Sequence, residues 1–469
     1  MPQLLAAGLT RLRLAGLWGK HMRLHTIART RRALVIGGCA VAIGAGIGVA
    51  PALAQVGAVG GANAPSISPP PVNTGRQNVF ANRTRAEDAL VLGDWLVYPS
   101  AFVGGLYDSN INQTSNAQSS FGARLVPSFL AENDGGVSKT TLYGTADGRI
   151  YTNQGSSNAN AVDVNTGVTE QYQPLEDWAL TGQGNYTRQK DLFNTLGVTH
   201  SAQSLTSTGV GLSPTVNPQS YNQFSGSGSV QKNFSQAFAI LTGSISNITY
   251  DKTAGAVAPS PDSTTYDATL RGGYWITPAL YGYLEGGYDW RDQATSSLSS
   301  SGYRTIAGIG TDQIGLVRGE IFGGWQAETY RTSALGTTSG AVYGARGYYY
   351  PLPELTLDLT VDEALGVSTL AATPGSVLGT STKVTEALAT ADYTISQRWS
   401  ASGRGGYIHT DYVGATRRDD AWTVGSTLSY NFIRNVALTL DYQHVELSSN
   451  AALQSFTRDV ATVGATLKY

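Results

Sequence analysis

Apolar and polar residues alternate with a period of two along most of this chain. Over residues 355–362, Leu355, Leu357, Leu359 and Val361 alternate with Thr356, Asp358, Thr360 and Asp362. Over 422–432, Trp422, Val424, Ser426, Leu428, Tyr430 and Phe432 share one parity, against Thr423, Gly425, Thr427, Ser429 and Asn431 on the other. Val436, Leu438, Leu440 and Tyr442 oppose Ala437, Thr439 and Asp441. The last stretch behaves alike: Ala461, Val463, Ala465, Leu467 and Tyr469 form an apolar face, and Val460, Thr462, Gly464, Thr466 and Lys468 form a small, mostly polar face opposite. A period of two means strands with two different environments.

Short connections rich in Gly, Pro, Asn, Asp and Ser punctuate these strands at residues 133–136, 173–177, 233–236, 277–279, 311–313, 351–354, 396–398 and 433–435. Such residues suit tight reversals. Longer polar links lie between them, at 109–120, 189–220, 252–263, 292–301, 332–340 and 366–382. Short turns at one end and long loops at the other is the asymmetry of an outer-membrane barrel, with the short end periplasmic. Eight hairpins plus a first strand at 97–108 and a closing strand at 456–469 predict an all-β, transmembrane, antiparallel up-and-down β-barrel of about 18 strands, with 16 as the alternative. An even count puts both ends on the periplasmic side. Aromatics at strand ends (Trp399, Trp422, Tyr430, Phe432, Tyr469) suit interface girdles and weigh against a soluble sandwich.

Composition sharpens this. The chain of 469 residues is only 41% hydrophobic and 14% charged, with 56 Gly and 25 Tyr. That is too polar for a helical membrane protein and too rich in Gly and Tyr for a helical soluble one. Residues 1–54 read as a removable signal peptide. They hold seven basic and no acidic residues, an apolar run from 33 to 49, and Ala52-Leu53-Ala54 as a cleavage site. Met22 is a plausible true start, leaving an ordinary leader. A Gly38-Cys39 step resembling a lipoprotein box and the Arg31-Arg32 pair are read as ordinary leader residues. The region 55–94 reads as a periplasmic linker, Gly/Ala/Asn/Pro-rich up to 82, ending in a short helix or a lead-in at 83–92 that either plugs the barrel or enters its first strand. The barrel is expected over 95–469. Without the leader, 24 basic residues face 33 acidic ones, a balance of −9, and no cysteine remains. That excludes disulfides and argues against nucleic acid as a partner.

Two resemblances carry further expectations. The terminal aromatic strand, with Val463, Ala465, Leu467 and Tyr469 on one face, resembles the C-terminal insertion signal of Gram-negative outer-membrane barrels. It implies barrel-assembly machinery and outer-membrane lipid as partners. Residues 90–112 read LVLGDWLVYPSAFVGGLYDSNIN. Their glycine-led strand, Tyr98-Pro99 step and Tyr107-Asp108-Ser109-Asn110 segment resemble the opening of the putative β-barrel porin-2 family of proteobacterial outer membranes. Ser109 stands where the family motif has an acidic residue. Leu125-Val126-Pro127 and the strand with Trp178 also fit. The resemblance spans about 91–469 and implies an outer-membrane barrel rather than any particular cargo. Tyr107-Asp108-Ser109-Asn110 itself reads either as a cation or sugar contact at the outer mouth or as a turn capped by side-chain bonds, the commoner use of such residues.

Candidate chemistry is sparse. His200, His409 and His444 have no metal-ligand spacing and no adjoining nucleophile, so neither a metal, a cofactor nor an enzyme is expected. If Leu, Val and aromatic positions face lipid, then Asp147, Arg149, Asp267, Arg271 and Arg318 face the lumen, together with Glu320, Arg346, Asp358, Arg404 and Asp441. They either line a pore with a transverse field or merely brace the wall, since a charge is costly on the lipid side of any barrel. Tyr281, Tyr283, Glu285 and Asp289 alternate on one strand and form a candidate sugar contact. The leading reading is a porin-like passive channel for small polar solutes. An exopolysaccharide export pore with periplasmic components, and an outer-membrane enzyme or adhesive barrel contacting through 189–220, are the alternatives. Oligomeric state is left open.

Overall fold

The computed structural model describes residues 89–153, 159–190, 220–251, 262–294, 296–332, 335–367 and 381–469. The expected leader, most of the linker and the loop holding His200 lie outside the described residues, as does most of the 366–382 loop.

Among the described residues, nineteen strands make one antiparallel sheet. A short β1 (Leu90–Leu92) precedes β2 (Trp95–Asp108). There follow β3 (Ser120–Asp134), β4 (Ser138–Tyr151), β5 (Ala161–Leu175), β6 (Trp178–Gln189), β7 (Tyr221–Asn233), β8 (Ala237–Tyr250) and β9 (Ser263–Thr277). Then come β10 (Leu280–Gln293), β11 (Ser300–Ile314), β12 (Val317–Tyr330), β13 (Thr337–Leu352), β14 (Leu355–Val367) and β15 (Ser381–Thr394). The last are β16 (Trp399–Val413), β17 (Arg418–Ile433), β18 (Val436–Ser449) and β19 (Phe456–Lys468). Each strand from β2 pairs with its neighbours in sequence, and β19 pairs with β2. The ring is therefore closed, with 18 strands, as the alternation predicts. Closure removes the open edges that backbone groups could not tolerate in hydrocarbon.

The apolar parity faces outward. Val463, Leu440, Leu359, Leu284 and Ile321 are all exposed on the outer surface. On a soluble protein such a continuous apolar surface would be an aggregation liability; in a bilayer it is the hydrophobic band. Ring pairs such as Trp399 with Tyr430, 4.6 Å apart, and Trp422 with Tyr407, 4.5 Å apart, stud its borders.

Two sequence expectations need correction. The turn expected at 311–313 lies farther on, at Gly315-Leu316. Gly315 adopts a φ of +62°, which favours glycine, whereas Thr311 to Ile314 stay in β11 through a register shift. The other seven short turns fall where the pattern put them. The helix considered at 83–92 is, over the described part, a strand: Leu90–Leu92 turns at Gly93, φ +64°, and pairs with Trp95–Val97 of β2. The opposite edge of those β2 residues pairs with β3, so β1 lies on the β19 side. It continues the column that β19 leaves at Lys468, where the Tyr469 amide bonds the Pro99 carbonyl at 3.3 Å.

Candidate functional site

The inner wall is the only surface that could meet a solute in transit, and its chemistry follows from register. Inward residues recur at every second position, and the pairing sets which of them stand side by side across strands.

All ten residues expected inward are on the inner parity. Most are locked in ion pairs between strands. Arg124, missed by the sequence reading, grips Asp147 through Nε and Nη2, both at 2.8 Å. Arg149 bonds Asp163. Arg271 on β9 reaches Glu285 on β10 at 2.8 Å and Glu320 on β12 at 3.1 Å, bridging over β11. Arg304 joins Glu285 at 3.4 Å and Asp267 at 3.5 Å. Arg346 holds Asp362 at 3.2 Å, and Arg404 holds Asp441 at 2.9 Å, with the Thr427 hydroxyl donating to the same carboxylate. These paired groups, Arg404 apart, are almost fully buried. Arg318 is the exception: its side chain is 37% exposed, and its Nε lies 3.7 Å from Asp312. Asp358 is also partly exposed.

Bulky inner residues lie flat because glycines make room beside them. A Cβ on Gly308 would stand 2.5 Å from the Tyr283 ring, and one on Gly344 2.5 Å from the Phe322 ring. Gly310 accommodates Tyr281 and Gly273 accommodates Phe238 in the same way. Tyr281, Tyr283, Glu285 and Asp289 do share the inner face, as the alternation predicts. Their accessibility is another matter: Tyr281 is 2% and Tyr283 5% exposed. The Tyr283 face is covered by the Arg271 guanidinium at 4.1 Å, and Tyr281 meets Phe238 and Trp275 edge to face. The candidate sugar contact is thus packed into the wall in this conformation.

The segment Tyr107-Asp108-Ser109-Asn110 is built into the barrel seam. Asp108 is fully buried and accepts from Arg458 of β19 at 2.6 Å, from the Tyr151 hydroxyl at 2.9 Å and from the Asn110 amide at 3.0 Å. Asn110 donates to the Thr457 carbonyl at 3.0 Å, and the Asp459 amide donates to the Ser109 hydroxyl at 2.7 Å. The turn reading accounts for these bonds, and cross-strand closure adds to it.

His409 and His444 point outward. His409 contacts Asp420 at 2.7 Å and His444 contacts Asp459 at 2.8 Å, near the loop end of β16 and β18. Neither addresses the lumen. Val463, Leu467 and Tyr469 of the expected insertion signal are exposed on the outer face.

One arc of the inner wall was not anticipated. On β5 to β8 most inner positions between Asn165 and Ser246 are hydroxyls and amides, with Phe238 and Ile240 the bulky apolar exceptions near the turn end of β8. Thr169, Gln183, Ser227 and Ser244 form one rung in register, and Gln171, Thr181, Ser229 and Thr242 another. Most are partly exposed, unlike the ion pairs of β9 to β14. Gln171, Gln183, Gln223, Asn165, Asn185 and the Ser residues of β7 and β8 give no signal in sequence until register aligns them.

No curated protein is significantly similar to the chain. Among solved structures, the anion-selective porin from Comamonas acidovorans is similar, at 12% identity over 80% of this chain and 99% of that one, with a TM-score of 0.35. OpdO of Pseudomonas aeruginosa matches at 11% identity, 81% and 99% coverage and a TM-score of 0.41. The siderophore receptor PirA from Pseudomonas aeruginosa matches at 8% identity, 80% coverage of both chains and a TM-score of 0.38. At family level, residues 90–469, from β1 to the last residue of the seam, match Putative beta-barrel porin 2, and the chain belongs to that porin-like family of outer-membrane β-barrels.

Proposed function

We propose that the protein is a passive, porin-like channel for small polar solutes in a Gram-negative outer membrane, delivered there by the leader 1–54. The observation that carries this is the closed 18-strand ring with a polar inner face. Barrels of 16 to 18 strands are wide enough to leave an aqueous channel, whereas eight strands are filled by their own side chains. The buried ion pairs favour the same reading. They neutralise one another within the wall, so a small solute crosses without meeting a strong field of one sign. A polymer exporter would need a coherent inner charge, and the alternation of Arg271, Glu285, Arg304 and Asp267 gives none. A catalytic role has no support from His409 or His444, both outward.

The test is solute release from proteoliposomes carrying refolded residues 55–469. Small polar dyes should leak faster than from protein-free vesicles while a large dextran is retained. Equal rates for protein-bearing and protein-free vesicles would overturn the channel reading.

A further inference from the structure

The inner wall is divided by chemistry, and one broad part of it offers uncharged groups to solute. From β9 to β14 the inner face is charged, and much of that charge is spent within the wall: Arg271 with Glu285 and Glu320, Arg304 with Asp267, Arg346 with Asp362, all nearly fully buried; Asp289, Arg291 and Glu328 are as deeply buried, out of a solute's reach, but keep polar atoms without a hydrogen-bond partner. From β5 to β8, between Asn165 and Ser246, the described inner positions carry no charge. Apart from Phe238 and Ile240 and a few small apolar residues, they present hydroxyl and carboxamide groups in stacked rungs, and Gln183, Asn185, Ser225 and Ser227 are partly exposed.

A second observation points to a ligand. Several polar atoms on this arc lack a partner: Thr169 Oγ1, Asn165 Oδ1 and Ser244 Oγ. Thr169 is 8% exposed and stands in the same rung as Gln183, Ser227 and Ser244. A buried hydroxyl without a partner is unfavourable and gains from any donor or acceptor brought beside it. Hydroxyls and carboxamides both donate and accept, so this wall suits a solute whose own groups do both and carry no charge.

We propose that the β5–β8 arc is a hydrogen-bonding track for uncharged polyhydroxylated solutes, that is, neutral sugars and polyols. It rests on the channel reading and names the solute class for it. A neutral sugar exchanges bonds to water for bonds to successive rungs, at little desolvation cost. A charged solute would give up more hydration and gain no partner on this side.

The experiment is single-channel recording from residues 55–469 in a planar bilayer, with maltotriose added and a polyethylene glycol of matched hydrodynamic size as the control. Both probes are neutral; only the sugar is rich in hydroxyl donors. Maltotriose should reduce the current at about fivefold lower concentration than the glycol, the scale of one hydrogen bond. The double substitution Gln183→Leu and Ser227→Ala, which strips one rung, should bring the two probes together while ion conductance persists. If that variant fails to fold, Gln183→Glu keeps the wall polar and should weaken the maltotriose effect while favouring cations. Open channels that respond equally to both probes would overturn the sugar track and leave the channel reading standing. A silent bilayer would overturn both.

Discussion

Gly308 shows how much of the wall depends on single atoms. It sits beside Tyr283 so closely that a methyl group at its Cα would overlap the ring. Gly308→Ala should destabilise the folded barrel by about 1–3 kcal/mol, the usual cost of overpacking. Urea titration in detergent, followed by the heat-sensitive shift in gel mobility, checks it. The charged residues divide by burial. Removing Arg271 leaves Glu320 buried without its cation and Glu285 with only the longer Arg304 contact, so Arg271→Ala should cost about 3–5 kcal/mol. Arg188, paired with Asp251 at 2.5 Å where both side chains reach solvent, should cost below about 1 kcal/mol on the same substitution. The same titration ranks the two, and equal losses would contradict the division. Arg318 belongs to a third kind, inward yet accessible. Arg318→Glu should leave stability nearly unchanged and move the reversal potential in a salt gradient toward cation preference.

At the scale of elements, the seam between β2 and β19 is the place where first and last strands must find each other across the whole chain. Asp108 collects Arg458, Tyr151 and Asn110 there, and β1 extends the β19 column below Tyr469. Asp108→Ala strands a buried Arg458 and should cost about 3–5 kcal/mol, with loss of the compact gel form at lower temperature. A seam that tolerated this change would mean that backbone pairing alone closes the ring. The strands themselves were legible in the sequence because the bilayer imposes a strict period of two, and Leu357, Leu440 and Val463 report it without knowledge of their neighbours. The 311–313 turn misled because Thr311, Asp312 and Gln313 are good turn formers by type. Gly315, with its positive φ, decided the reversal instead. The stretch 83–92 suits a turn or two of helix or a lead-in to the first strand; the free edge of β2 makes its described end, Leu90–Leu92, a strand.

At the scale of the whole molecule, the inner wall separates into a largely buried, ion-paired charged arc and a more accessible, uncharged hydroxyl and amide arc. The inward placement of Asp147, Arg271, Arg346 and Asp441 followed from parity alone. Their partners did not, because a bond such as Arg271 to Glu320 joins strands three apart in the ring, and sequence holds no register for that. For the same reason Tyr281 and Tyr283 looked like a sugar platform until their rings were seen against Phe238, Trp275 and Arg271. The central claim is an open aqueous path through the ring, and the conductance of refolded residues 55–469 in a planar bilayer tests it most directly. A steady, ohmic single-channel conductance with weak ion selectivity is the predicted result. A protein that inserts as a heat-stable barrel and passes no current at any voltage would contradict it.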